Sequence, residues 1–153
     1  MRTLENDHEW GPILVGTDGS DGACRAIYAA AGLAADLGTG LWIVHVIDGT
    51  SSTAVTQFKH AEKASIGDAT EAAASDILLE AARRAESIGG KKPRTVLRWG
   101  ASAKGLVAAA GEVGAKAILV GRRGVGGRLA QAFIGSVSQK LAGNSPDNLV
   151  IVP

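Results

Sequence analysis

Short apolar runs alternate with amphipathic segments along most of the chain. The runs at residues 12–17, 41–47, 93–99, 116–120 and 148–152 have the length of β-strands. Between them, apolar residues recur every three or four positions, as on one face of a helix. The pattern predicts the order β-α-β-α-β-α-β-α-β. That order is typical of a parallel sheet covered by helices on both faces.

Polar residues ahead of the helical segments predict where these helices begin. Ser20 is placed to cap the first helix. Asp68 and Glu71 have the spacing of a capping box and predict the start of the second helix. Ser102 is placed to cap the third helix, and a fourth helix is expected over about residues 135–142.

Three further features of the sequence predict burial or local structure. Tyr28 and Ile88 fall on the apolar faces of the first and second helices and are expected to be buried. The run at 93–99 is more polar than the other strands and alternates, which is typical of an edge strand. Residues 50–67 are rich in Ser, Thr and small residues and predict a loop with some helix.

Composition places the chain among globular proteins. It has 153 residues, 46% of them hydrophobic and 20% charged, with a net charge of +1. This size predicts one domain with a sizeable core, and the near-zero charge argues against a broad nucleic-acid or membrane surface. A single cysteine, Cys24, excludes an intramolecular disulfide. No apolar run approaches the roughly 20 residues that span a bilayer, so a cytoplasmic protein is expected.

A glycine-rich turn is the strongest indication of chemistry. The fourth predicted strand ends in Gly121-Arg122-Arg123-Gly124, and Gly135-Ser136 later opens the fourth predicted helix. Glycine lets backbone approach a ligand closely, and the free N–H groups and dipole of a helix N-terminus favour an anion. The pattern predicts a phosphate-binding site at the carboxyl ends of the strands.

Several nucleotide-binding classes are excluded by missing motifs. The chain has no G-x-x-x-x-G-K-[ST], so it is not a Walker NTPase. It has no G-x-G-x-x-G after the first strand, which argues against a dinucleotide-dependent dehydrogenase. A phosphorelay receiver needs an aspartate at the end of its third strand, where this chain has Trp99-Gly100.

Four segments in order resemble the universal stress protein family: residues 13–20, residues 44–48, the glycine motif and residues 149–152. The resemblance covers residues 11–153, which are expected to form one domain behind a loose leader over residues 1–10. It implies a Rossmann-like three-layer α/β/α sandwich, with a five-stranded parallel sheet in the order 3-2-1-4-5. It also implies binding of an adenine nucleotide, ATP with Mg²⁺, and a homodimer that pairs through the last strand.

The resemblance also implies roles for individual residues. Asp18 is expected near the adenine or ribose, beside the backbone of Gly16 and Thr17, and the backbone of Val46 is expected to touch the adenine. The amides of Gly135, Ser136 and Val137 are expected to meet phosphate oxygens. Each residue also has a simpler interpretation: a turn-forming aspartate, a buried strand valine, an ordinary helix-capping serine and solvated arginines. The predicted binding residues are Gly16, Thr17, Asp18, Val46, Val120, Gly121, Arg122, Arg123, Gly124, Gly135, Ser136 and Val137.

Two classes of function follow from these residues. The first is a nucleotide-binding regulatory or stress-response protein with at most slow hydrolysis, since no general base and nucleophile are assembled. His45 is expected to be a packed strand histidine, not a catalyst. The second is a dimeric interaction module without ATP binding, or a sensor of AMP or cyclic AMP. The family pattern has nine residues where ten separate Gly124 from Gly135, which motivates this second class.

Overall fold

The predicted alternation of strands and helices is present in the computed structural model, which describes residues 10–49, 63–124, 134–144 and 148–153. Within these residues, five strands alternate with four helices. The elements are β1 (Ile13–Gly16), α1 (Asp21–Asp36), β2 (Leu41–Ile47), α2 (Lys63–Gly89), β3 (Arg94–Trp99), α3 (Ser102–Val113), β4 (Ala117–Gly121), α4 (Ser136–Asn144) and β5 (Asn148–Val152).

The strands form one parallel sheet in the order β3-β2-β1-β4-β5, which confirms the predicted order. β1 is central: Val15 lies between Ile43 of β2 and Leu119 of β4. All four residues of β1 are buried, because neighbouring strands flank it and helices cover both its faces. The polar run at 93–99 is an edge strand, as predicted.

Helices cover the sheet in two layers. Successive side chains of a strand point to opposite faces, so Ile13 and Val15 pack with α1 and α2, and Leu14 packs with α3 and α4. On β2, Ile43 likewise packs on the face covered by α1 and α2, and Val44 on the face covered by α3 and α4. The resulting three-layer α/β/α sandwich confirms the predicted fold class.

Two predicted helix starts are wrong. α2 begins at Lys63, so the capping-box spacing of Asp68 and Glu71 lies inside the helix, where both residues are exposed to water and carboxylates are tolerated. α3 begins with Ser102 itself; its N-cap is Ala101, which makes no side-chain capping bond. The start at Ser20 is correct, because its hydroxyl oxygen accepts a hydrogen bond from the Ala23 amide at 3.2 Å. Of the ambiguous stretch, residues 63–67 are helical and residues 50–62 lie outside the described residues.

The predicted burial of Tyr28 and Ile88 is also wrong. Tyr28 is 40% exposed and Ile88 is 51% exposed. α1 and α2 approach each other largely through alanines, so the buried stripe is narrower than the apolar stripe of the sequence. The Tyr28 hydroxyl instead accepts a 3.4 Å hydrogen bond from the Arg84 guanidinium at the surface.

The described part of the chain contains no helix that is both long enough and apolar enough to cross a membrane. α2 is the longest of the described helices, at 27 residues, but charged and small polar residues recur along it. The predicted leader over residues 1–10 lies outside the described residues, apart from Trp10.

Candidate functional site

A cavity of about 490 Å³ opens at the carboxyl ends of β1, β2 and β4. The N-terminal ends of α1, α3 and α4 also border it, through the N-cap Ser20 and the first helical residues Ser102 and Ser136. Because each helix N-terminus carries a partial positive charge, three of them facing one space favour an anionic ligand. The predicted binding residues, with the exception of Arg122, all line this cavity.

The turn after β1 is held by short-range hydrogen bonds. The Ser20 amide donates to Asp18 Oδ1 at 2.9 Å, and the Gly19 amide donates to Thr17 Oγ1 at 3.2 Å. These bonds place the Asp18 side chain at the cavity wall, so the turn-forming role and a place in the site are compatible. The second carboxylate oxygen of Asp18 lies against Gly124, where a Cβ atom would collide with it.

The two arginines of the glycine turn lie in different surroundings. Arg123 lines the cavity and Arg122 does not. Arg122 contributes through its backbone: its amide donates to the Val152 carbonyl at 2.7 Å, and its carbonyl accepts from the Gly135 amide at 2.7 Å. It therefore joins the glycine turn to β5 and to the start of α4, and of these two arginines only Arg123 lies at the cavity, where the phosphate clamp is expected.

The start of α4 differs in one respect from the expected phosphate cradle. The Gly135 amide is occupied by the Arg122 carbonyl, so it does not face the cavity as a free donor. Ser136 and Val137 are in the first turn of α4, where amides have no acceptor within the helix, and both residues line the cavity. The cradle therefore begins at Ser136.

Sequence reasoning did not identify Ser138, which lines the cavity and is only 2% exposed. Its hydroxyl donates to the Gly121 carbonyl at 2.8 Å and fastens the first turn of α4 to the end of β4. The signal that could have found it is a second serine two residues after Gly135-Ser136, on the inward side of a short helix.

Asp48, Ser20 and Ser102 are further polar residues of the cavity that the sequence did not assign to it. Asp48 directly follows the buried strand β2, a position from which a side chain reaches the edge of the sheet where the cavity lies. The remaining unassigned lining is mostly apolar and consists of Ala23, Val44 and Leu106. Together with Val46 and Val120, these residues form the apolar wall of the cavity.

The described lining of the cavity combines features that suit a bound ligand. Among the described residues, no group of three or more His, Cys, Asp and Glu side chains is placed to hold a metal ion. The described lining also contains no histidine or cysteine that could act as a base or nucleophile. The apolar wall fits a flat ring, and the carboxylates fit hydroxyl groups. The anion-binding start of α4 fits a phosphate.

Comparisons with known proteins agree with this geometry. The sequence profile of the universal stress protein family matches residues 9–153. A solved universal stress protein in complex with cAMP is 30% identical to this chain; the alignment covers 94% of this chain and 96% of that one, with a TM-score of 0.69.

Two further structures were compared. A protein of the universal stress protein family from Burkholderia pseudomallei is 26% identical over 95% of this chain and 98% of its own, with a TM-score of 0.71. The universal stress protein from Archaeoglobus fulgidus in complex with dAMP is 20% identical over 94% and 98%, with a TM-score of 0.62, and shows the same fold. Among curated protein sequences, no significant match was found.

Proposed function

Since this chain belongs to the universal stress protein family, we propose that it binds an adenine nucleotide, ATP with Mg²⁺, in a regulatory or stress-response role. The observation that carries the proposal is the position of the cavity. It brings the turn after β1, the glycine turn after β4 and the start of α4 around one space of about 490 Å³, a volume typical of small-molecule sites.

The apolar and polar parts of the cavity lining suggest where each part of the nucleotide binds. The adenine packs against the apolar wall, which includes Val46 and Leu106. The Asp18 carboxylate accepts hydrogen bonds from ribose hydroxyls, as carboxylates at strand ends do in other nucleotide-binding sheets. The phosphates lie at the start of α4, where the Ser136 and Val137 amides and the Arg123 guanidinium donate to them.

The residues of the cavity fit a magnesium ion that arrives with the nucleotide. Mg²⁺ keeps several waters and is usually held by one or two carboxylates plus substrate phosphates, without an all-protein cage. Among the described lining residues, the Asp48 carboxylate and the Ser136 hydroxyl are oxygen donors that could contribute. The ion would neutralise phosphate charge and orient the chain of phosphates.

The proposed role is regulatory because the site is built to bind. Its described residues supply a cradle for the phosphates, and the proposal gives their two carboxylates to the ribose and the metal ion, so no further base is left among them to activate a water molecule and we expect slow hydrolysis at most.

A sensor of AMP or cyclic AMP is the second candidate. The Gly135 amide is taken by the Arg122 carbonyl, which leaves fewer helix amides for a chain of three phosphates. A 30% identical universal stress protein has been solved with cAMP, and a more distant one with dAMP. The interaction module without nucleotide binding is the third, and the ten-residue spacing between Gly124 and Gly135 favours it.

Titration calorimetry and thermal unfolding with ATP, AMP, cyclic AMP and GTP distinguish these functions. At equal concentration, a ligand that binds only the native state raises the unfolding temperature more the more tightly it binds, so ATP with Mg²⁺ should give the largest shift. A larger shift with AMP or cyclic AMP identifies the sensor. No shift with any adenine nucleotide at millimolar concentration overturns nucleotide binding.

A double variant tests the assigned cradle. Replacing Gly124→Val and Ser136→Leu fills the space beside Asp18 and the first turn of α4, and should weaken adenine nucleotide binding at least tenfold while the fold survives. The matched control, Gly111→Val with Ser75→Leu, makes the same chemical changes at exposed helix positions away from the cavity. Equal affinities of the two double variants would refute the cradle.

We also propose that residues 11–153 act as one domain in the cytoplasm, paired with a second copy through β5. β5 is an edge of the sheet, and its central residue Val150 is 40% exposed. An edge strand presents unpaired N–H and C=O groups, which a second copy of the same strand can satisfy.

A further inference from the structure

His45 lies on β2 between two residues that line the cavity, Val44 and Val46, yet it does not line the cavity itself. Because side chains alternate along a strand, His45 points to the opposite face of the sheet, the one that α1 and α2 cover. Its Nδ1 atom lies 2.6 Å from the carbonyl oxygen of Thr17, at the end of β1. The His45–Thr17 contact therefore reaches the end of β1 from the face of the sheet that α1 and α2 cover.

The partner fixes the direction of this hydrogen bond. A carbonyl oxygen only accepts, so Nδ1 of His45 carries the proton and donates it. Both the neutral Nδ1–H tautomer and the imidazolium ion can make this bond. At 2.6 Å the Nδ1–O distance is slightly shorter than the usual range for an N–H···O bond, and the His45 residue is half-buried.

Thr17 is the point at which β1 leaves the sheet. The pairing of β1 with β2 ends at Gly16 opposite Val44, and the Thr17 amide makes one further bond to the Val44 carbonyl at 2.9 Å. The His45 side chain holds the Thr17 carbonyl beyond that point. It thus fixes the peptide group between Thr17 and Asp18, from which the Asp18 carboxylate projects to the cavity wall.

We propose that His45 is a positioning residue of the nucleotide site: its Nδ1–H bond to Thr17 fixes the turn over residues 17–20 and so orients Asp18 towards the ligand. The effect on the turn depends on the hydrogen bond alone. Its consequence for ligand affinity rests on the proposed function.

Three variants separate the hydrogen bond from the bulk of the side chain. His45→Asn carries an amide nitrogen the same number of bonds from Cα as Nδ1 and retains the donor. His45→Gln places its nitrogen one bond farther out, and His45→Leu has no donor. The control, Ile43→Val, removes one methylene on the same face of the same strand and lowers stability without touching Thr17.

The first measurement is amide hydrogen exchange of Gly19 and Ser20 in the protein without nucleotide. Their amides donate to Thr17 Oγ1 and Asp18 Oδ1, so their exchange rates report the order of the turn. Exchange should accelerate roughly fivefold in His45→Leu and His45→Gln, and stay near the wild-type rate in His45→Asn and Ile43→Val. Wild-type rates in the leucine variant, or no rescue by asparagine, would overturn the positioning role.

The second measurement is the affinity of the same variants for the adenine nucleotide that binds the wild type most tightly. His45→Leu and His45→Gln should bind roughly fivefold more weakly, and His45→Asn within about twofold of the wild type. Unchanged affinity in the leucine variant overturns the link to the ligand. If the wild type binds no adenine nucleotide, the proposed function fails, while hydrogen exchange still decides whether His45 fixes the turn.

Discussion

Gly22 in the first turn of α1 and Gly121 at the end of β4 bring two backbones into contact beside the cavity. A Cβ atom on Gly121 would lie 2.5 Å from the carbonyl carbon of Gly22, and one on Gly22 would lie 2.6 Å from the Arg123 carbonyl oxygen. Backbone atoms cannot rotate away as the end of a side chain can. The glycine turn is therefore fixed by packing against α1 before any ligand is considered.

Gly22→Ala should lower the free energy of unfolding by about 1–3 kcal/mol, although alanine favours helix, because the methyl group overpacks the contact with Arg123. The control is Gly32→Ala in the same helix, where no atom lies within 4 Å of the added Cβ and a gain of about 0.5–1 kcal/mol is expected. Urea denaturation measures both changes. A Gly22→Ala protein as stable as the Gly32→Ala protein would contradict this packing.

The sequence could indicate the glycine turn but could not distinguish its two arginines. Arg122 and Arg123 are identical residues in the same turn, and only the course of the backbone after β4 sends one to the cavity and the other away from it. For the same reason, the sequence did not indicate the close contact at Gly22. Its partner Arg123 is distant in the sequence and follows β4. Ser136 and Val137 were predictable because their amides belong to a local feature, the start of a helix.

Among the secondary-structure elements, α1 and α3 begin differently. Ser20 caps α1 through its bond to the Ala23 amide, whereas α3 begins at Ser102 after an uncapped Ala101. Ser20→Ala should therefore lower the free energy of unfolding by about 1 kcal/mol, and Ser102→Ala by less than about 0.5 kcal/mol. Chemical denaturation of the two variants tests this, and an equal loss in both would show that Ser20 does not act as a cap.

Strands were easier to predict than helix starts. A buried strand needs a continuous apolar run, and such a run is visible at 41–47 without knowledge of its neighbours. A capping residue contributes only about 1 kcal/mol, less than the packing of a long helix against the sheet. The helix α2 therefore starts at Lys63, ahead of the capping-box spacing at Asp68, and Ser102 becomes part of the first turn of α3.

The order of the strands in the sheet creates the cavity. The chain moves outward from β1 through β2 to β3, then returns to the other side of β1 at β4. The helices after β1 and before β4 therefore cover opposite faces, and a crevice opens between them at the carboxyl ends of the strands. The position of this cavity could be predicted from the sequence because the order of elements and the family resemblance indicate the same reversal of strand order.

The two edges of the sheet differ, and this difference predicts how two copies pair. On β3, Arg94 stacks over the Trp42 ring and Arg98 forms an ion pair with Glu112, and charges of this kind discourage pairing with another strand. On β5, Val150 is 40% exposed. We expect a dimer through β5 at tens of micromolar, and Val150→Lys should convert it to a monomer because two lysines would face each other across the new pairing.

Thr95→Lys is the matched control, since Thr95 is an exposed residue on the opposite edge strand, and this variant should remain dimeric. Sedimentation velocity measures all three proteins. A monomeric wild type would contradict dimerisation, and a dimeric Val150→Lys protein would exclude β5 as the interface. The result also concerns the proposed nucleotide site. The Arg122 amide donates to the Val152 carbonyl, so a dimer through β5 would stabilise the strand to which the glycine turn is hydrogen-bonded.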